Sequence, residues 1–168
     1  MDTAHVKFMK MALAETEKAR KKGEVPIGAV LVADNNDVLA AEHNQTITLN
    51  DPTAHAEILT LREAAHEIGN YRLLNTTLYV TVEPCPMCMG AIIHARVAQV
   101  IFGTRDPRWG AAGSLYNFAD DRRFNHRPKI IEGICADECK KLMQDFFSLK
   151  RICDKCQDID NPKMPRHR

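Results

Sequence analysis

Two short stretches carry residue types that do chemistry together: His55-Ala56-Glu57 and Pro84-Cys85-Pro86-Met87-Cys88. Thiolate and imidazole are the soft and borderline donors that suit zinc. Cys85 and Cys88 stand three apart, so one helical turn brings both sulfurs to the same side. A helix N-terminus or a nearby cation lowers a cysteine pKa and favours the metal-binding thiolate. A Cys-x-x-Cys pair alone also fits a redox couple; the His-x-Glu upstream favours metal. With His55 the set counts three donors. A structural zinc is normally closed by four protein ligands, whereas a catalytic zinc keeps one position open. His94 lies nine residues past Cys85, about 13 Å along a helix axis, and cannot supply a fourth. An open site lets zinc lower the pKa of a bound water toward about 7. Glu57 can then take that water's proton and pass it to a leaving group. This is the equipment for hydrolytic attack on an amidine-like carbon with loss of ammonia.

The elements that position these residues are legible as an α-β-β-α-β-α-β series. Apolar residues on one face predict a first helix over 5–22, stopped at Gly23. Ile27–Ala33 reads as a buried strand, Asp34–Asp37 as a turn, and Val38–Glu42 as the second arm of a hairpin. Asp51-Pro52-Thr53 is a helix start, and its helix ends near Gly69. Leu78–Val82 predicts a strand, Glu83 to about Val97 a helix, and Gln99–Gly103 another strand. That alternation favours parallel strands with crossover helices. Residues 104–128 are loop-rich, Ile130–Ile134 is a short strand or extended segment, and 136–149 form an amphipathic helix. Both reactive stretches fall at helix starts.

The 168 residues suffice for one domain, and 45% hydrophobic content excludes wholesale disorder. We place the domain at 1–151 and a polar, poorly ordered tail at 152–168. Charges run through the first 22 residues, which argues against a secretory signal, and no apolar run reaches the roughly 18 residues of a membrane span. A soluble cytoplasmic protein with reduced thiols is expected. The net charge of +1 excludes a broad basic coat. It is unevenly spread: residues 1–118 hold 11 basic against 13 acidic groups, and 119–151 hold 8 against 6.

The pairing of His55-Ala56-Glu57 with Pro84-Cys85-x-x-Cys88 resembles the zinc-dependent cytidine and nucleoside deaminase superfamily. Within it the chain is similar to the bacterial tRNA-specific adenosine deaminases. Val25–Val30, His43-Asn44, Asp51-Pro52-Thr53, Leu78–Thr81, Gly110–Ser114, Asn125-His126-Arg127 and Asp145-Phe146-Phe147 carry that likeness. The resemblance covers roughly residues 3–151. It implies a three-layer α/β/α, cytidine-deaminase-like fold around a five-stranded mixed central sheet. It implies homodimers that convert the wobble adenosine of a tRNA anticodon loop to inosine. By the same resemblance His55, Cys85 and Cys88 bind one catalytic zinc per chain and Glu57 shuttles protons. Ala56 and Pro84 would line the base pocket and Asn44 would contact the flipped nucleotide. Asp106, Asn125 and Phe147 would hold neighbouring anticodon nucleotides. An anticodon loop offers bases that are already exposed, which lowers the cost of splaying one out.

Other readings stay open beside these. A deaminase of free guanine, cytosine or nucleosides would use the same zinc chemistry. A non-catalytic zinc-dependent RNA-binding module would need four ligands and leave Glu57 without a role. Asn44 also fits a loop residue capping its own backbone. Of Phe146 and Phe147, one belongs to the core stripe and the other is free to stack on a base. Arg122, Arg123, Arg127 and Lys129 are either phosphate contacts or a solvated loop. Trp109 fits stacking, packing or a dimer contact. Cys135, Cys139, Cys153 and Cys156 are expected as reduced thiols, with a second, structural zinc as the alternative.

Overall fold

Strand residues alternate between two apolar faces, and that alternation builds the layers. The computed structural model describes residues 3–160. The order is α1 (Thr3–Lys21), β1 (Gly28–Val32), β2 (Val38–His43), α2 (Ala56–Ile68), β3 (Thr77–Val82), α3 (Pro86–His94), β4 (Gln99–Thr104), β5 (Lys129–Glu132) and α4 (Ala136–Asp160). The five strands form one sheet in the order β2-β1-β3-β4-β5. β1 runs antiparallel to β2 and β3, while β3, β4 and β5 run parallel. The hairpin and the parallel crossover half are both as expected, and the sheet is mixed.

Ala29, Leu31, Leu78, Val80, Val100 and Phe102 face one way. Leu61 and Ala64 of α2, with Met89 and Ile92 of α3, cover them. Val30, Val32, Tyr79 and Ile101 face the other way, under Phe8, Met9, Ala12 and Leu13 of α1 and Cys139 of α4. The period of two in the strands thus produces three α/β/α layers. Two glycines mark the closest approaches. A Cβ on Gly28 would stand 2.1 Å from the Ala12 carbonyl oxygen, and one on Gly103 would stand 2.3 Å from the Cys139 sulfur.

Several boundaries differ from the sequence reading: α2 starts at Ala56, after the Asp51-Pro52-Thr53 turn, and α3 starts at Pro86, after Glu83. α3 stops at His94, not near Val97. Arg96 adopts a left-handed φ of 62° and the Val97 N–H turns back to the Ile92 carbonyl oxygen at 3.3 Å. The stop uses no glycine, so the sequence carried no mark for it. α4 continues to Asp160, past the expected end at residue 149. Cys139 and Cys153 therefore share one helix, fourteen residues or about 21 Å apart along its axis. They cannot close a metal site together within the chain. Cys139 instead packs over Gly103, and burial pushes its thiol up to about 12. Residues 161–168 of the expected tail lie outside the described residues.

Candidate active site

β3 ends at Val82, and the chain turns through Glu83-Pro84 into α3, placing Cys85 as its N-cap. His55 is the N-cap of α2. Both residues have extended backbone, with φ −74° in each. Pro86 at the first turn of α3 suits a position whose N–H has no helical partner. Two helix N-termini, each with N–H groups that lack a partner within the helix and with partial positive charge, thus meet at the donors. Asp51 Oδ1 prepares α2 by accepting the Thr53 N–H and hydroxyl, both at 2.7 Å. Asn44 Oδ1 accepts the Ala56 N–H at 2.8 Å, anchoring the residue beside His55.

His55 Nδ1 lies 3.7 Å from Cys85 Sγ and 3.5 Å from Cys88 Sγ. All three donor atoms fall within 4.8 Å of one another. Tetrahedral zinc, with bonds of about 2.0–2.1 Å to nitrogen and 2.3 Å to sulfur, separates N from S by about 3.6 Å. The donors therefore fit zinc in both type and spacing.

The titratable groups agree with a site built for a cation. The hydrogen bond from Cys88, opposed by burial and aided by His55, holds Cys85 down to about 4. The same pairing and burial push Cys88 up. The bond to Cys85 raises His55. Metal binding there would require both thiols deprotonated, so it would release protons. Glu57 is buried, and its Oε2 has no partner among the described residues. Burial pushes its carboxyl up to about 7 against the pull of its own N–H and of His55. A buried, unpartnered oxygen beside a metal-donor cluster marks a place where something else must bond.

A cleft of about 900 Å³ opens over His55. Asn44 and Thr46, and Asp106, Arg108 and Trp109 of the loop after β4, line it. Lys140, Phe147 and Arg151 of α4 line it as well. Of the expected substrate contacts, Asn44, Asp106 and Phe147 converge here. Phe147 is 44% exposed and meets half-buried Phe146 edge-on, with ring centroids 5.4 Å apart. Trp109, 65% exposed, also faces the cleft. Ala56 and Pro84 are buried, and both backbone groups of Ala56 are engaged: its carbonyl accepts the Thr60 hydroxyl at 2.8 Å. The Pro84 carbonyl accepts the Ala111 N–H at 2.8 Å.

Asn125 does not join them. It is not among the residues lining the cleft, and its Oδ1 accepts from Arg96 Nη1 at 2.6 Å. None of Arg122, Arg123, Arg127 and Lys129 lines the cleft either, and Arg123 pairs with Asp121 at 2.6 Å. The cleft takes its positive charge from Arg105, Arg108, Lys140 and Arg151. These come from the loop after β4 and from α4, and no sequence spacing links them. Arg105 is spoken for by Glu132 at 2.7 Å.

Layering and a three-donor centre define the class: a zinc-binding deaminase fold. Residues 2–104 match the family model described as the cytidine and deoxycytidylate deaminase zinc-binding region. The chain is 46% identical over 157 residues to the tRNA-specific adenosine deaminase of Haemophilus influenzae, covering 90% of this chain and 91% of the relative. It is 46% identical over 140 residues to that of Bacillus subtilis, covering 83% and 86%. A solved structure from work on A-to-I editing by tRNA:A34 deaminases superposes with TM-score 0.78 and 43% identity, over 80% of this chain and 97% of that one. A guanine deaminase structure from Bacillus subtilis superposes with TM-score 0.56 and 40% identity, over 59% and 63%. The chain belongs to the cytidine and deoxycytidylate deaminase family, in the branch of the tRNA-specific adenosine deaminases.

Proposed function

We propose that this chain hydrolyses adenosine to inosine at the wobble position of a tRNA anticodon. The carrying observation is a three-donor zinc set beside the buried, unpartnered Oε2 of Glu57. The named activity of the relatives supplies the substrate. When bound, zinc on His55, Cys85 and Cys88 supplies Lewis-acid activation of water. Glu57 Oε2 moves the protons: it takes one from the attacking water, delivers it to the ring nitrogen, and carries the next to the departing amino group. Oxygen adds at C6, the C6–N bond breaks, and inosine and ammonia result. Burial favours the protonated carboxyl relative to an exposed one, which suits a group that must donate a proton as well as accept one.

Asn44 fixes the start of α2 through Oδ1 and offers its amide nitrogen to the substrate. Trp109 and Phe147 stack on bases splayed from the loop, with Asp106 beside them in the same cleft. Arg108, Lys140 and Arg151 meet phosphates. Ala56 and Pro84 shape the pocket by holding Asn44 and the 106–114 loop. Asn125 is left out of this set. A homodimer in the cytoplasm, without membrane attachment, completes the reading; among the described residues no helix is long and apolar enough to cross a membrane. Light scattering on the zinc-loaded chain reads its mass.

The test is turnover of an anticodon stem-loop carrying a wobble adenosine, set against free adenosine, cytidine and guanine. Inosine in the stem-loop with negligible turnover of the free compounds is the expected result. Rapid turnover of a free base and none of the RNA would make this a small-molecule deaminase instead.

A further inference from the structure

Glu83 separates β3 from the metal-donor turn by two residues, yet its side chain serves neither. It is 3% exposed and forms no ion pair among the described residues. Every bond its carboxylate makes goes to the loop after β4. Oε2 accepts the Asp106 N–H at 3.0 Å. Oε1 accepts the N–H groups of Ala112 at 3.0 Å and Ser114 at 2.9 Å. The Ser114 hydroxyl donates to Oε2 as well. The loop wraps so closely that a Cβ on Gly110 would stand 2.4 Å from the carboxylate.

Arg105 feels the Glu83 charge, but from beyond ion-pair distance; a buried carboxylate without an ion pair is costly unless its oxygens are fully bonded. A loop that needed only covering could rest on an apolar side chain. What the carboxylate adds is direction: four donors held at fixed distances from one point. That point is rigidly tied to Cys85 through Pro84, whose carbonyl takes the Ala111 N–H. Beyond Asp106 the relay continues, because Asp106 Oδ1 accepts the N–H groups of Arg108 at 2.9 Å and Trp109 at 3.3 Å. Asp106, Arg108 and Trp109 line the cleft together with Asn44, Thr46 and His55.

We propose that Glu83 is a positioning residue, which sets the distance of the substrate-gripping wall from the metal donors. The inference rests on the tRNA deaminase reading. Glu83→Gln separates this role from folding. An amide places a donor where one oxygen stood. Oε1 serves two backbone N–H groups, so the amide nitrogen is best tolerated at the other end, where the Ser114 hydroxyl can turn to accept. The Asp106 N–H is then left facing a donor, and the wall loosens while the turn to Cys85 stays closed.

The measurement is steady-state kinetics on the wobble-adenosine stem-loop, with zinc content and Tm, for wild type, Glu83→Gln and Ser114→Ala. For Glu83→Gln we expect zinc content and kcat to hold while KM rises about ten-fold, the loss from one buried donor left unpaired. For Ser114→Ala, which removes a single neutral donor, we expect KM to rise about three-fold. KM unchanged in both, with any loss confined to Tm, zinc content or kcat, overturns the proposal. If Glu83→Gln fails to fold, Ser114→Ala decides by the same criterion. A wild-type chain that leaves the stem-loop unreacted overturns the deaminase reading itself, a separate outcome.

Discussion

Asn44 stands where capping and catalysis overlap, and two substitutions pull them apart. Its Oδ1 holds the Ala56 N–H at 2.8 Å, at the first residue of α2 and next to His55. The side chain is 4% exposed, so water does not readily replace the lost acceptor. Asn44→Ala strands that donor at a cost of about 1–3 kcal/mol. For a chain of this size that is about 2–12 °C in Tm. Asn44→Asp keeps an acceptor at the helix start and adds a charge that the N-terminal dipole favours. It removes only the amide donor that we assign to the substrate. Differential scanning calorimetry and stem-loop turnover on both variants give the readout. Asn44→Ala is expected to lose stability and activity together. Asn44→Asp is expected to recover most of the Tm while turnover stays at least about ten-fold down, the loss of one hydrogen bond to substrate. An Asn44→Ala variant as stable as wild type refutes the anchoring role. An Asn44→Asp variant with full activity refutes the donor role.

Other outcomes follow from the same geometry. Glu24 is fully buried and accepts the Thr46 and Thr48 hydroxyls and the Ile47 and Thr48 N–H groups. Burial raises its pKa, but these bonds outweigh it and hold the carboxyl below its ordinary value. Its stabilisation is therefore present above the unfolded pKa near 4.3 and lost as pH falls through the lower folded value. Glu24→Gln should cost about 1–3 kcal/mol in urea melts at pH 7, with the gap to wild type closing in strong acid. Gly103→Ala should destabilise by roughly 1–3 kcal/mol in the same melts. Adding Cys139→Ala should restore only part, because the Thr81 carbonyl oxygen still lies 2.8 Å from the new methyl. Chelating the metal should lower Tm and abolish turnover, and zinc alone should restore both; unchanged Tm would place the ion elsewhere.

The metal donors were readable because their spacing is local: two sulfurs one turn apart, and a histidine and glutamate two apart, each at a helix start. The strands were readable from apolar runs and alternation. The cleft was not. Arg108, Lys140 and Arg151 meet only because α4 packs beside the end of β4, a tertiary event without a sequence period. The basic run at 122–129 fitted either phosphate contacts or a solvated loop; Arg123 pairs with Asp121 and none of the run lines the cleft. Glu24 and the role of Glu83 were not singled out from the sequence, since burial with backbone donors leaves no trace in residue type. The end of α3 was missed because Arg96, not glycine, takes the left-handed turn.

The most direct test is inosine formation in the wobble-adenosine stem-loop by wild type and Glu57→Gln, with zinc measured in each. Glu57→Gln keeps the side chain's shape and all three metal donors. The expected result is undiminished zinc with turnover reduced roughly 10²- to 10⁴-fold, the contribution of a positioned proton-transfer group. Full turnover by Glu57→Gln with zinc in place would contradict the mechanism.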